Sequence, residues 1–220
     1  MKNKISSTIE DYLGVIYILE RDKEAIRGVR LAELLGVSTP TVTNTLQRMV
    51  RDGLLEMNPQ TGICLTPAGL EQAMTVMRRH MLAEWMLNRM VSWSNLHKEA
   101  HTMEHAISNE VEANLIQSLN GPETCPHGNP LPGHESVVKD WVALTEIPVG
   151  AQITIRRVHE LAEEGRDVLS FLEANGIAPG IQARLVDNLP FNQTVTLDVA
   201  GKSVTLGFAL ARYVYGEIVL

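Results

Sequence analysis

The sequence predicts a mainly α-helical chain with a β C-terminal domain, and three observations predict it. Apolar residues recur at helical spacing through the first half, one Pro- and Gly-rich stretch interrupts them, and beyond it the period becomes that of strands. The 220 residues suffice for one large or two small domains with a buried core. The composition zones set expected bounds of 1–75, 76–140 and 141–220.

The first zone opens with Asp11-Tyr12-Leu13 through Ile18-Leu19 at helical spacing. Leu31 to Leu35 forms a second, short helix that Gly36 ends. Ser38 reads as the N-cap of a third helix over 39–50, with Val42, Leu46 and Met49 on its inner face and Gly53 as its stop. Residues 54–57 and 63–66 read as strands joined by Asn58-Pro59-Gln60-Thr61-Gly62. Helix, tight turn, helix and β-hairpin in this order make a winged helix-turn-helix.

Pro67 starts the next helix at its favoured first position. A Met- and Leu-rich helical region follows and closes at Asn120-Gly121-Pro122. Here Met74, Met77 and Met81 read as packing rather than ligands. The run Cys125-Pro126-His127-Gly128-Asn129-Pro130-Leu131-Pro132-Gly133 carries three prolines and two glycines, so it predicts a bent connector at a domain boundary over 122–138. Beyond it, strands over 153–155, 183–186, 194–197 and 203–206, with a helix over 168–174, predict a small five-stranded β-barrel.

Charge and cysteine usage narrow the function. No run of about 18 apolar residues offers a transmembrane helix, and residues 1–10 lack the apolar region of a secretory signal. Two cysteines, Cys64 and Cys125, exclude a disulfide scaffold and place the chain in the reducing cytoplasm. A net charge of −7 excludes a coat of positive charge, yet residues 27–51 carry Arg27, Arg30, Arg48 and Arg51 against Glu33, a local +3. The short side chains of Ser38, Thr39, Pro40, Thr41, Thr43 and Asn44 can approach base edges. Arg30, Arg48 and Arg51 suit phosphates, and Gln60 sits at the wing tip. A helical hairpin for protein contacts is the blander alternative.

His97, His101, Glu104 and His105 fall at i, i+4, i+7 and i+8, which predicts one helix with all four on one stripe. His80 and Glu84 repeat the i, i+4 spacing on the preceding helix. Imidazoles and carboxylates without thiolates suit a first-row divalent cation. The zinc-hydrolase pattern His-Glu-x-x-His is absent, so no enzyme is expected.

The winged helix, the run Met-Arg-Arg-His-Met-Leu-Ala-Glu at 77–84, the helix expected over 97–112, the Gly-Asn-Pro-Leu-Pro-Gly segment and the C-terminal barrel together resemble the diphtheria-toxin-repressor family of metal-dependent transcriptional regulators. Its manganese-responsive branch is included in the resemblance. The resemblance implies a helical metal-binding and dimerisation domain, a small FeoA-like β-barrel, and a homodimer on double-stranded operator DNA, with no membrane and no organic cofactor. It implies a metal site of Asp11, His101, Glu104 and His105. It also implies an ancillary pair of His80 and Glu84 with His97 beside it, and a barrel ligand from His159 or Glu163.

The implied cation is Mn²⁺ or Fe²⁺, with Zn²⁺, Co²⁺ or Ni²⁺ as surrogates. The implied output is repression of metal-uptake genes in replete cells. Two departures keep the choice of metal and the number of ions open: His101 stands where Cys or Glu is usual, and Gly14 where the manganese branch has a second carboxylate. Cys125 and His127 read as parts of the connector rather than ligands. A regulator of the same fold sensing a small organic ligand, or a metal-dependent hydrolase, are the alternatives.

Overall fold

The computed structural model describes residues 5–58, 62–163 and 166–219. Two compact units emerge: Met1–His80 with Met103–Ile107, and Met81–Thr102 with Ser108–Leu220.

In the first unit α1 (Ser7–Arg21) buries Tyr12, Leu13, Ile16 and Leu19, the stripe its helical spacing predicts. Next comes α2 (Gly28–Leu35), which ends where Gly36 takes the left-handed φ of 63° and Val37 N–H returns to the Ala32 carbonyl. The Ser38 side chain caps α3 (Thr39–Arg51) by accepting the Thr41 N–H, and Val42, Leu46 and Met49 are buried. Strands β1 (Leu55–Asn58) and β2 (Gly62–Leu65) then pair antiparallel from Leu55↔Leu65 to Asn58↔Gly62. The turn residues 59–61, and with them Gln60, lie outside the described residues. Thr66 accepts the Gly69 N–H and donates to the Gly53 carbonyl, fixing the entry to α4 (Pro67–Leu87). A Cβ at Gly69 would come within 1.9 Å of the Leu54 carbonyl oxygen, so only glycine fits there.

The single helix expected over 97–112 is not formed. Instead α5 (Leu96–Met103) gives way to a 3₁₀ turn at Glu104–Ala106, Ile107 is extended, and α6 (Asn109–Ser118) starts afresh. Ser108 drives the restart, because its side chain accepts the Val111 N–H and Glu110 and Glu112 favour a new helix N-terminus. His97, His101, Glu104 and His105 therefore do not share one helical stripe.

The second unit holds one antiparallel sheet of β3 (Val142–Ala143), β4 (Gln152–Val158), β5 (Gln182–Leu189), β6 (Thr194–Val199), β7 (Lys202–Gly207) and β8 (Val214–Ile218), in the order β3-β8-β4-β5-β6-β7. Where five strands were expected, the two-residue β3 adds a sixth at the β8 edge. Alternate residues Ile153 and Ile155, Ala183 and Leu185, and Val195 and Leu197 enter the core, joined by Leu169 and Leu172 of α8 (Arg166–Ala174). A bulge between Ile155 and Arg157 interrupts the pairing of β4 with β8, and Arg157 is buried beside Val158. The short α7 (Glu160–Glu163) follows β4.

The Pro-rich segment, expected as a connector between domains, is packed inside this unit. Residues 125–132 are all buried. The His127 carbonyl accepts the Val158 N–H, and a Cβ at Gly128 would lie 1.9 Å from the Arg156 carbonyl oxygen. Burial here satisfies the backbone on β4 rather than in water.

Candidate functional site

The outer face of α3 and its cap presents Ser38, Thr39, Pro40, Thr41, Thr43, Asn44, Arg48 and Arg51, all exposed. Arg30 is half-buried and lies 3.4 Å from Glu33, and Arg48 lies 3.6 Å from Asp52, so Arg51 gives this face its least compensated charge.

In the first unit, Asp11 on α1 and Glu104 and His105 on the 3₁₀ turn place their ligand atoms within 4.8 Å of one another. His105 Nε2 is 3.2 Å from Asp11 Oδ1 and 3.5 Å from Glu104 Oε1. The other ring nitrogen, Nδ1, lies 2.6 Å from Glu10 Oε2. A carboxylate can only accept, so Nδ1 donates to Glu10, and this bond holds the ring with Nε2 on the side of Asp11 and Glu104. Glu104 is buried and its second oxygen meets His80 Nδ1 at 2.5 Å. Three carboxylates (Glu10, Asp11, Glu104) face two imidazoles (His80, His105) here. Carboxylate and imidazole donors of this kind fit a divalent cation. His101 lies exposed on α5, in the second unit.

The second unit assembles another group. His97 Nδ1 is 2.9 Å from Glu163 Oε2 and 3.8 Å from Glu84 Oε1. His127 Nδ1 approaches the same Glu84 oxygen at 3.1 Å, and Cys125 joins Glu84 and His127 within ligand reach. His127 Nε2 faces the Trp93 carbonyl at 3.1 Å and must donate to it. Nδ1 is then left either for a second proton shared with Glu84 or for a metal. Burial opposes charge at His127, but Glu163 and Glu84 raise its pKa above the ordinary 6.5. The Cys125 thiol is pushed well up by burial and by the same two carboxylates. Imidazole, carboxylate and sulfur together fit a transition-metal cation.

Of the two barrel residues expected, Glu163 enters this second group. His159 instead accepts the Leu161 N–H at Nδ1 and packs its ring 5.4 Å from that of Tyr213. Sequence reasoning passed over Glu10, whose signal is its adjacency to Asp11. It also weighed Cys125 and His127 as parts of a connector, since their spacing to Glu84 is visible only once the segment is buried.

Three family models match in chain order: "Iron dependent repressor, N-terminal DNA binding domain" over 4–63, "Iron dependent repressor, metal binding and dimerisation domain" over 66–133, and "FeoA domain" over 142–218. The iron-dependent repressor IdeR of Mycobacterium leprae is 34% identical, covering 98% of this chain and 99% of its own length. The diphtheria toxin repressor of Corynebacterium diphtheriae is 32% identical over 94% of both. Among solved structures, the manganese regulator SloR matches with a TM-score of 0.79 at 27% identity, over 96% of this chain and 98% of that one. The chain belongs to the diphtheria-toxin-repressor family of metal-dependent transcriptional repressors. No helix among the described residues is long and apolar enough to cross a membrane.

Proposed function

We propose that this chain is a metal-activated repressor that binds double-stranded operator DNA as a homodimer and controls genes of metal-ion homeostasis. It is a cytoplasmic regulator rather than an enzyme, its cation is Mn²⁺ or Fe²⁺, and it needs no organic cofactor. One observation carries the reading: Asp11, on the first helix of the winged unit, meets Glu104 and His105 of the 3₁₀ turn. Asp11, Glu104 and His105 hold the ion, and His101 joins them on its place in the sequence. Glu84, His97 and Glu163 form the ancillary set, with His159 as the alternative barrel ligand, and the family resemblance of the sequence adds His80.

When bound, the ion supplies a positive centre shared by α1 and the Glu104–His105 turn. Glu10 holds the His105 ring so that Nε2 faces this centre. The ligand residues thereby favour one placement of α1, and the population shifts toward the form that reads DNA. Moving it from 1:99 to 99:1 takes about 5.5 kcal/mol of differential affinity. Two copies of α3 then enter successive major grooves, with Ser38, Thr39, Pro40, Thr41, Thr43 and Asn44 at base edges and Arg30, Arg48, Arg51 and the Gln60 wing tip at the backbone. Functionally, residues 1–75 read DNA, 76–140 bind metal and dimerise, and 141–220 form the FeoA-like domain.

Gel-shift assays on genomic fragments with chelator, then with Mn²⁺, Fe²⁺ or Zn²⁺, test this. Operator affinity should appear with metal and vanish with chelator. Affinity indifferent to every metal would favour a sensor of a small organic ligand instead.

A further inference from the structure

Glu163 does not reach the second metal group unaided. Its Oε1 accepts a 2.6 Å hydrogen bond from Asn129 Nδ2, while Oε2 lies 2.9 Å from His97 Nδ1. The Asn129 amide is itself fixed from three sides. Arg157 Nε donates to its Oδ1 at 2.6 Å, and its Nδ2 also donates to the Val158 carbonyl at 2.8 Å. A guanidinium can only donate and a carbonyl can only accept, so these partners allow one orientation of the amide. Asn129 is fully buried, and both its amide hydrogens are thereby directed, one of them at Glu163.

The charges are arranged to match. Arg157 directs Nη2 to Glu160 at 2.9 Å and lies 5.3 Å over the Tyr215 ring, so a carboxylate other than Glu163 meets its guanidinium. Glu163 is touched by the neutral amide rather than by the guanidinium, which orients the carboxylate without neutralising it. Anchoring of the Pro-rich segment to β4 does not require this contact. The bond from Val158 N–H to the His127 carbonyl and the close approach of Gly128 to Arg156 already supply it, and neither touches Glu163.

We infer that Asn129, held by Arg157, is a positioning residue that engages Glu163 Oε1 and so presents Oε2 to a cation shared with His97 and Glu84. This deepens the metal-dependent reading above and rests on it. Partners that orient a ligand in this way change metal affinity about 10–100-fold when removed.

The test is a Mn²⁺ titration by calorimetry of the full, chelator-stripped chain as wild type, Asn129→Ala, Glu163→Gln and the double variant. Thermal melts of the metal-free proteins run alongside. Asn129→Ala should weaken one class of bound ion about 10–100-fold, and should change nothing further once Glu163 is Gln, because the two act through one carboxylate. Asn129→Asp keeps the shape and the Arg157 bond but turns the donor at Glu163 into an acceptor; it should abolish that class of ion. Unchanged Mn²⁺ affinity in both Asn129 variants overturns the inference. So does an equal loss with Glu163 present or replaced, which would mean general loosening. A wild type that binds a single ion per chain also overturns it, while metal-dependent operator binding through Glu104 and His105 would stand.

Discussion

Glu104 Oε2 lies 2.5 Å from His80 Nδ1, and both side chains are buried. With its other oxygen 3.5 Å from His105 Nε2, Glu104 links an imidazole of α4 to the turn that faces Asp11. Replacing it by Gln keeps the shape and removes the charge. Glu104→Gln should abolish metal-dependent operator binding in gel shifts while costing the metal-free fold no more than about 1–3 kcal/mol in denaturant melts. His105→Ala should do the same to DNA binding. Retained metal response in both variants would mean the site lies elsewhere.

Glu10 acts on His105 from the far side of the ring. Glu10→Ala should lower metal affinity about 10–100-fold through the lost orientation of Nε2. Titration against a competing chelator dye reads this directly, and wild-type affinity would remove Glu10 from the site.

Arg51 is exposed at the end of α3. Arg51→Ala should weaken binding to all DNA sequences alike and reduce the slope of log affinity against log salt by about one unit. A loss confined to one operator sequence would assign it to base reading instead.

The two cysteines should react differently. Cys125 is buried with its thiol pushed up, whereas Cys64 is half-buried on β2. Iodoacetamide under native conditions should label Cys64 and leave Cys125 intact until the chain unfolds. Mass spectrometry of the peptides decides, and early labelling of Cys125 counts against its burial.

His127 gives a pH dependence of defined sign. Its folded pKa is raised above the unfolded value of 6.5, so its contribution to stability is full below that value and fades as pH rises through the folded one. Chelator-treated protein should therefore lose, on going from mildly acid to alkaline pH, a stabilisation that His127→Gln lacks throughout. Metal binding must run the other way, since the ligands have to shed protons. Melting temperatures of both proteins across this range check it; parallel curves would contradict the assignment.

The winged unit was legible because its punctuation is local. Gly36, Ser38 and Gly53 each act within a turn of the chain, and the apolar stripes of α1 and α3 repeat often enough to be read. The break at Glu104–Ala106 was not, because histidine spacing continued the helical pattern across it. Ser108 with Glu110 and Glu112 was the overlooked signal, a cap and first turn that outcompete continuation. The surroundings of Glu163 were hidden for another reason. Asn129 and Arg157 come from separate segments, and a bulge accompanies the inward placement of Arg157. The strand β3, two residues long, carries no period at all.

Gly69 leaves no space for even a methyl group between the start of α4 and Leu54. The hairpin that follows Leu54 and the helix that follows Thr66 are thus welded at one corner, without slack. Any tilt of that helix is handed on undamped to the wing.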